Sequence, residues 1–180
     1  MKSFSKWFCA LAVIALLAGT SAAADAIAAG KVKSVNADKK TFVVTDSVNK
    51  DHTIHIGDPL VVNRDGKESK TDLNVGDVVN VCHDNGFVTW TAHYILVQGG
   101  TNKDFALVHA TVKSYDAAKK QLVITDASGK DLTFPMGDAA VRLNMQNSKI
   151  EDVKIGDQTL AIVETVRDVA TLKSLMIERK

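Results

Sequence analysis

Laid over itself so that Val32 meets Val112, this 180-residue chain matches its own second half, and that internal repeat restricts its fold more than any other feature of the sequence. Val32-Lys33-Ser34-Val35-Asn36-Ala37-Asp38-Lys39-Lys40 lies over Val112-Lys113-Ser114-Tyr115-Asp116-Ala117-Ala118-Lys119-Lys120, and Val43-Val44-Thr45-Asp46 lies over Val123-Ile124-Thr125-Asp126 without a gap. Lys50-Asp51, Gly57-Asp58 and Asp72-Leu73-Asn74-Val75-Gly76-Asp77 meet Lys130-Asp131, Gly137-Asp138 and Asp152-Val153-Lys154-Ile155-Gly156-Asp157 in the same register. Two units of about 75 residues are too few to stack as a solenoid, so each must close its own core. A chain of about 70 residues buries only a small core, and packing the two units together adds to it.

Within a unit the apolar residues recur with period two, which reads as strand. Strands are expected near Ala28 to Asn36, Lys40 to Asp46, His52 to Ile56, Val78 to His83 and Phe87 to Val97, and the same five at the matching positions of the second unit. Asn36-Ala37-Asp38-Lys39 and Asp84-Asn85-Gly86 are turn sequences that join antiparallel neighbours. Alternation sends Phe42, Val44, Ile54 and Ile56 inward, with Leu122, Ile124, Phe134 and Met136 as their partners. Between the third and fourth strands the alternation stops. There Ser148-Lys149-Ile150-Glu151 has capping-box spacing and Ser69-Lys70-Thr71-Asp72 a poorer version of it, so each unit is expected to form a short helical turn. The expectation is an all-β chain of two tandem five-stranded small barrels, OB-like or alternatively SH3-like, each with that turn between strands 3 and 4. The first barrel spans 25–98, the joint 99–104 contains Gly99-Gly100, and the second barrel spans 105–180.

Residues 1–24 read as an export signal: Lys2 and Lys6, an apolar run from Trp7 to Leu17, then small residues ending at Ala24. The run is about 11 residues, whereas a membrane-spanning helix needs roughly 20. No later stretch is long or apolar enough to form one, so no stable membrane span is expected after processing. A periplasmic or extracellular destination follows. Without Lys2 and Lys6 the 22 basic residues become 20 against 21 acidic ones, interspersed along every segment. Such a surface lacks the basic face that nucleic-acid binding uses, so no nucleic-acid partner is expected. Cys9 leaves with the signal, and Cys82 alone cannot form an internal disulfide.

The runs Gly30-Lys31-Val32-Lys33-Ser34-Val35-Asn36, Phe42-Val43-Val44-Thr45-Asp46 and Val75-Gly76-Asp77-Val78-Val79 resemble small exported bacterial β-barrel domains, many of unknown function. The resemblance covers both units and implies a fold more than an activity. In shape the chain is also similar to the periplasmic copper chaperones of Cus efflux systems, barrels that bind copper through a His, two Met and a Trp around strands two and three. That resemblance implies copper on the first unit. The corresponding stretch here, Lys50-Asp51-His52-Thr53-Ile54-His55-Ile56, has His and neither methionine, and the second unit offers Met136.

The histidines are distributed unevenly. His52, His55, His83 and His93 and also Cys82 lie in the first unit, opposite Leu132, Pro135, Val163, Lys173 and Ile162 in the second. Imidazole and thiolate suit copper or zinc, which makes His52, His83, Cys82 and His93 the candidate metal ligands. Strand alternation turns His52 and His83 inward, and His55, Cys82 and His93 outward. Trp90 and Tyr94 have no aromatic counterparts and are a candidate ligand face, or else they close a barrel end or fill the joint between units. No nucleophile elbow, phosphate loop or zinc-protease motif is present, and an enzyme is not expected. The expected function is a non-catalytic binding or interaction module of the cell envelope, without a cofactor, for an envelope protein or a small ligand. The alternatives are a copper or zinc protein using the first repeat, and a structural envelope subunit.

Overall fold

The computed structural model describes residues 25–86, 89–136 and 138–179; the expected leader 1–24 lies outside the described residues. Strands β1 (Ala26–Asn36), β2 (Thr41–Thr45), β3 (Asp51–Arg64), β4 (Lys67–Ser69), β5 (Val78–Asn85) and β6 (Trp90–Gln98) form one sheet in the order β2-β1-β5-β6-β3-β4. An additional β2–β3 pairing closes β1, β2, β3, β6 and β5 into a five-stranded barrel. Neighbours in it are antiparallel except β3 and β6, which run parallel.

Strands β7 (Phe105–Asp116), β8 (Gln121–Asp126), β9 (Asp131–Pro135), β10 (Ala140–Leu143), β11 (Gln146–Ser148), β12 (Gln158–Val166) and β13 (Val169–Ile177) form a second sheet, ordered β11-β10-β13-β12-β7-β8-β9. Here the third strand of the unit is split into β9 and β10. Among the described residues no helix is long and apolar enough to cross a membrane.

The repeat register holds down to the irregularities. β1 and β7 both bulge, at Val32/Ser34 and at Val112/Ser114, and the fourth strands bulge at Cys82/His83 and Ile162/Val163. The register slips once. Tyr94 and Ser174 are counterparts, but Tyr94 pairs with Val61 and Ser174 with Ala140, where an unbroken register would bring Val141. The missing residue returns before Asp152, where the second unit forms a 3-10 turn at Ile150–Asp152. In the first unit the same stretch forms no helical turn, contrary to the expectation, because it lacks the extra residue. The cap also differs from the expected box: Asp152, not Glu151, accepts the Lys149 amide and the Ser148 hydroxyl, at 3.2 and 2.7 Å.

The Val-Gly-Asp and Ile-Gly-Asp motifs anchor the first strand of each unit. Gly76 has φ +95° and Gly156 φ +90°, values in the left-handed region that favours glycine. In that conformation the Gly76 amide donates to the Val32 carbonyl and the Val32 amide to the Asp77 carbonyl, and Gly156, Val112 and Asp157 repeat the pair.

Phe42, Val44 and Ile54 fill the first core, with Ile56 packed against it, and Leu122, Ile124, Phe134 and Met136 fill the second, all as the alternation predicts. A third cluster lies between the sheets. Cys82, Tyr94 and Leu96 meet Leu107, Ile162 and Met176, with Ile27 packed against them. Ile27 and Leu107, Cys82 and Ile162, Leu96 and Met176 are counterparts in the repeat, so the two units bury the same face against each other, as in a two-fold dimer. The joint is ordered by Asn102, whose side-chain amide donates to the Asn63 side-chain oxygen at 3.1 Å and to the Val97 carbonyl at 3.3 Å.

Candidate functional site

Trp90 opens β6 beside Ile54 of β3 and Asn85 of β5. His52 comes from β3 and His83 from β5, the strands flanking β6. Both imidazoles stack on the indole nearly parallel to it, His83 at 4.3 Å and His52 at 4.7 Å between ring centroids. Offset ring stacking of this kind contributes about 0.5–1.5 kcal/mol per pair beyond burial. The three rings cap one end of the first core, against which Trp90 packs.

Hydrogen bonds set the proton on each imidazole. His83 Nδ1 lies 2.8 Å from the Asp84 carbonyl; a carbonyl only accepts, so Nδ1 carries the hydrogen and the neutral ring keeps a lone pair on Nε2. His52 presents the other nitrogen: Nε2 faces the Asp46 carboxylate at 2.9 Å, so in the neutral ring Nε2 donates and the lone pair is on Nδ1. Asp46 is itself held by its turn, its other oxygen accepting the Val48 and Lys50 amides at 2.9 Å each. The hydrogen bond from His52, and then that from Lys50, hold the Asp46 carboxyl below its ordinary range. Asp46, His52, His83 and Trp90, together with the small side chains of Ala26, Ala28 and Ala29, line a cleft of about 270 Å3.

The second unit has no counterpart. Leu132, Val163 and Ala170 stand where the first has His52, His83 and Trp90, and Val163 belongs to the buried core. Asp126 stands where the first has Asp46, and it binds the Ser128 and Lys130 amides in the same turn. The aspartate therefore serves the turn in both copies, and only in the first does an imidazole meet it.

The remaining candidates lie elsewhere. The bulge at Cys82/His83 leaves His83 at the barrel end and Cys82 on the outer face, where the second unit buries it; burial pushes the Cys82 thiol up to about 12. His93 is partly exposed, 3.9 Å from an Asp84 oxygen, and His55 is exposed. Tyr94 lies in the inter-unit cluster, its hydroxyl accepting from Asn63 at 2.9 Å. Of the four proposed metal ligands, His52 and His83 share the cleft, whereas Cys82 and His93 lie away from it. Among the described residues no group of three or more His, Cys, Asp or Glu is placed to hold a metal ion. Asp46 was missed by sequence reasoning because its repetition as Asp126 marks it as a turn residue. Its contact with His52 across the β2–β3 turn was the available signal.

These features define a class: an all-β protein of two repeated units, a closed five-stranded barrel and a second sheet, in which one end of the barrel carries a ring-lined cleft. The chain matches no protein-family model and no curated protein.

Proposed function

We propose that this chain is a non-catalytic binding module of the cell envelope and that the ring-lined end of the first barrel holds its ligand. One observation carries the reading: His52, His83 and Trp90 occupy positions that the sister barrel fills with Leu132, Val163 and Ala170. An apolar end is enough to close such a barrel, and buried polar rings add a desolvation cost. A copy that keeps those rings and opens a cleft beside them gains a place for a polar ligand. With both imidazoles neutral, His52 Nδ1 and His83 Nε2 are acceptors that suit a ligand which donates hydrogen bonds or carries positive charge. The export signal read in 1–24 supports an envelope location, and interspersed charges argue against a nucleic-acid partner.

Native mass spectrometry of protein purified from its own envelope tests the reading, with the variant His52→Leu/His83→Val as the reference. A bound mass present in the wild type and absent from the variant is the expected outcome. A bound mass shared by both, or a hydrolytic or redox activity abolished by one point change, overturns it.

A second reading, copper or zinc at the same cleft, is favoured by the tautomers. Metal-binding imidazoles coordinate through a neutral nitrogen while the other N–H is held by a carbonyl or carboxylate, as Asp84 and Asp46 hold these two rings. His52 and His83 would supply two nitrogen donors, with further ligands from solvent or a partner. Elemental analysis of protein purified without chelators separates the readings: stoichiometric copper or zinc, lost in the double variant, supports the metal.

A further inference from the structure

We infer that the ring-lined cleft of the first barrel takes an extended peptide, which pairs as a strand with the free edge of β1 and turns a lysine side chain in among the rings. The inference rests on the reading of that cleft as the ligand site and names the class of its ligand.

Ala26, Ile27, Ala28 and Ala29 all line the cleft, although side chains alternate along β1. Ala28 packs against the first core and Ile27 against the second unit, so these side chains leave on opposite faces. A cleft that meets all four residues therefore runs along the edge of the strand, where the backbone is. Hydrogen bonds show which backbone groups point there. The Val32 amide and carbonyl both bond to Gly76 and Asp77, which lead into β5. Facing alternates from one residue to the next, and the β1–β5 register is unbroken from Lys31 to Ala26. Gly30, Ala28 and Ala26 thus face β5, whereas Lys31, Ala29 and Ile27 face the side of β2. Pairing with β2 stops at Lys31 and Thr45, and among the described residues no other backbone group pairs with Ala29 or Ile27. In the second unit the amide of Leu107, the counterpart of Ile27, donates to the Asn80 side chain at 3.2 Å. Leu160 stands in the Asn80 position of the repeat and has no acceptor to offer. The position is therefore closed in the second unit and open in the first.

A peptide laid antiparallel along this edge, in the line and direction of β2, exchanges backbone hydrogen bonds with Ala29 and Ile27, the arrangement of strand addition. Its residue between those two pairs stands opposite Ala28, and residues directly opposite share a face. That side chain consequently points inward, beside Val44, His52, His83 and Trp90, where the methyl groups of Ala26 and Ala28 leave it room. A cleft of about 270 Å3 suits a short segment and no more.

The surroundings of that side chain select lysine. His52 Nδ1 and His83 Nε2 are acceptors in the neutral rings. The Asp46 carboxylate, kept ionised chiefly by the hydrogen bond from His52, stands at the same cleft. An ammonium group supplies donors and a charge opposite to that of Asp46. Among the described residues no lysine or arginine of the chain itself lines the cleft.

The test uses the full chain, 15N-labelled, titrated with an acetylated and amidated tripeptide, Ala-Lys-Ala. Millimolar peptide is expected to shift the amides of Ile27 and Ala29 and the indole N–H of Trp90. Capped Ala-Asp-Ala, Ala-Lys-Ala N-methylated at both alanines, and n-butylammonium, which has the side chain without the backbone, are each expected to bind at least about tenfold more weakly, equivalent to about 1.4 kcal/mol. Ala29→Pro removes the free N–H at an edge position that tolerates proline and weakens the tripeptide as much. The inference is overturned if the N-methylated peptide or n-butylammonium binds as the tripeptide does, or if folded Ala29→Pro binds the tripeptide as the wild type does. Binding that still requires His52 and His83 then leaves the first barrel as a site for cations. A tripeptide that shifts neither Ile27, Ala29 nor Trp90 overturns it as well, and a bound mass that depends on His52 and His83 in native mass spectrometry then keeps the proposed role of the first barrel with a different ligand.

Discussion

Arg179 grips Asp157 through two nitrogens, Nε at 2.9 Å and Nη2 at 2.6 Å, and so does for the second unit what Arg64 does for Asp77 in the first. The two aspartates are counterparts in the repeat, but the arginines are not. Arg64 comes from the end of β3 and Arg179 from beyond β13, where Asn144 holds its backbone from both sides. Arg179→Ala should lower the urea midpoint of the second unit more than that of the first, and Arg64→Ala should do the reverse. Hydrogen exchange resolved by unit checks this.

The same pair sets an acid limb. Arg179 holds the Asp157 carboxyl below its ordinary range, against the opposing effect of burial. A carboxyl whose folded pKa is depressed contributes stability that is complete above its unfolded value, about 3.9. That contribution is lost as pH falls through the folded value. Stability should therefore decline below about pH 4, and Asp157→Asn should flatten that decline while lowering stability at neutral pH. Urea denaturation at pH 7, 4 and 3 measures both effects.

Removal of the indole should cost more than removal of the imidazoles. Trp90→Ala leaves a void at the end of the first core, and a loss of about 3 kcal/mol is expected, the low end for a large aromatic because Trp90 is only partly buried. His52→Leu/His83→Val copies the sister unit but gives up both ring stacks and the hydrogen bonds to Asp46 and the Asp84 carbonyl, so a loss of about 1–2 kcal/mol is expected once the relieved desolvation of the imidazoles is set against them. Equilibrium unfolding followed by circular dichroism distinguishes the two.

Cys82 is 3% exposed between the units and its thiol is pushed up to about 12. Thiolate is the reactive form, so iodoacetamide at pH 8 should leave Cys82 unmodified in the native protein and modify it fully in urea, as read by peptide mass mapping. Rapid native labelling would show that the two units separate readily.

Leu96 and Met176 face each other's units from equivalent positions. Leu96→Asp buries an unpaired charge there, which costs several kcal/mol unless the units part. An increased radius of gyration by small-angle scattering, with both barrels still folded, is the expected outcome.

Much of the architecture was legible because strand alternation and the repeat report the same faces twice. Phe42 and Leu122, or Ile54 and Phe134, each confirm the other's inward orientation. The register slip was hidden because Gly57-Asp58 and Asp72 align without a gap at both ends of it, so the loss and the gain of one residue cancel. The outward face of Cys82 was legible, but the sister unit that covers it was not, because period two says which side of a sheet a residue is on and not what covers that side. The three stacked rings were legible only as separate inward or unmatched residues, because their meeting depends on the parallel β3–β6 pairing, which alternation within single strands does not specify.

The compensated slip also restricts how the gene can rearrange. Two tandem copies invite unequal recombination. A crossover before Asp58 or after Asp72 joins segments of equal count and regenerates a barrel of proper length. One inside that window, between β3 or β10 and the turn that follows, leaves a hybrid with one residue too many or too few. Everything outside that window is thus interchangeable between the units, and the stretch between Asp58 and Asp72, with its counterpart in the second unit, must be inherited whole.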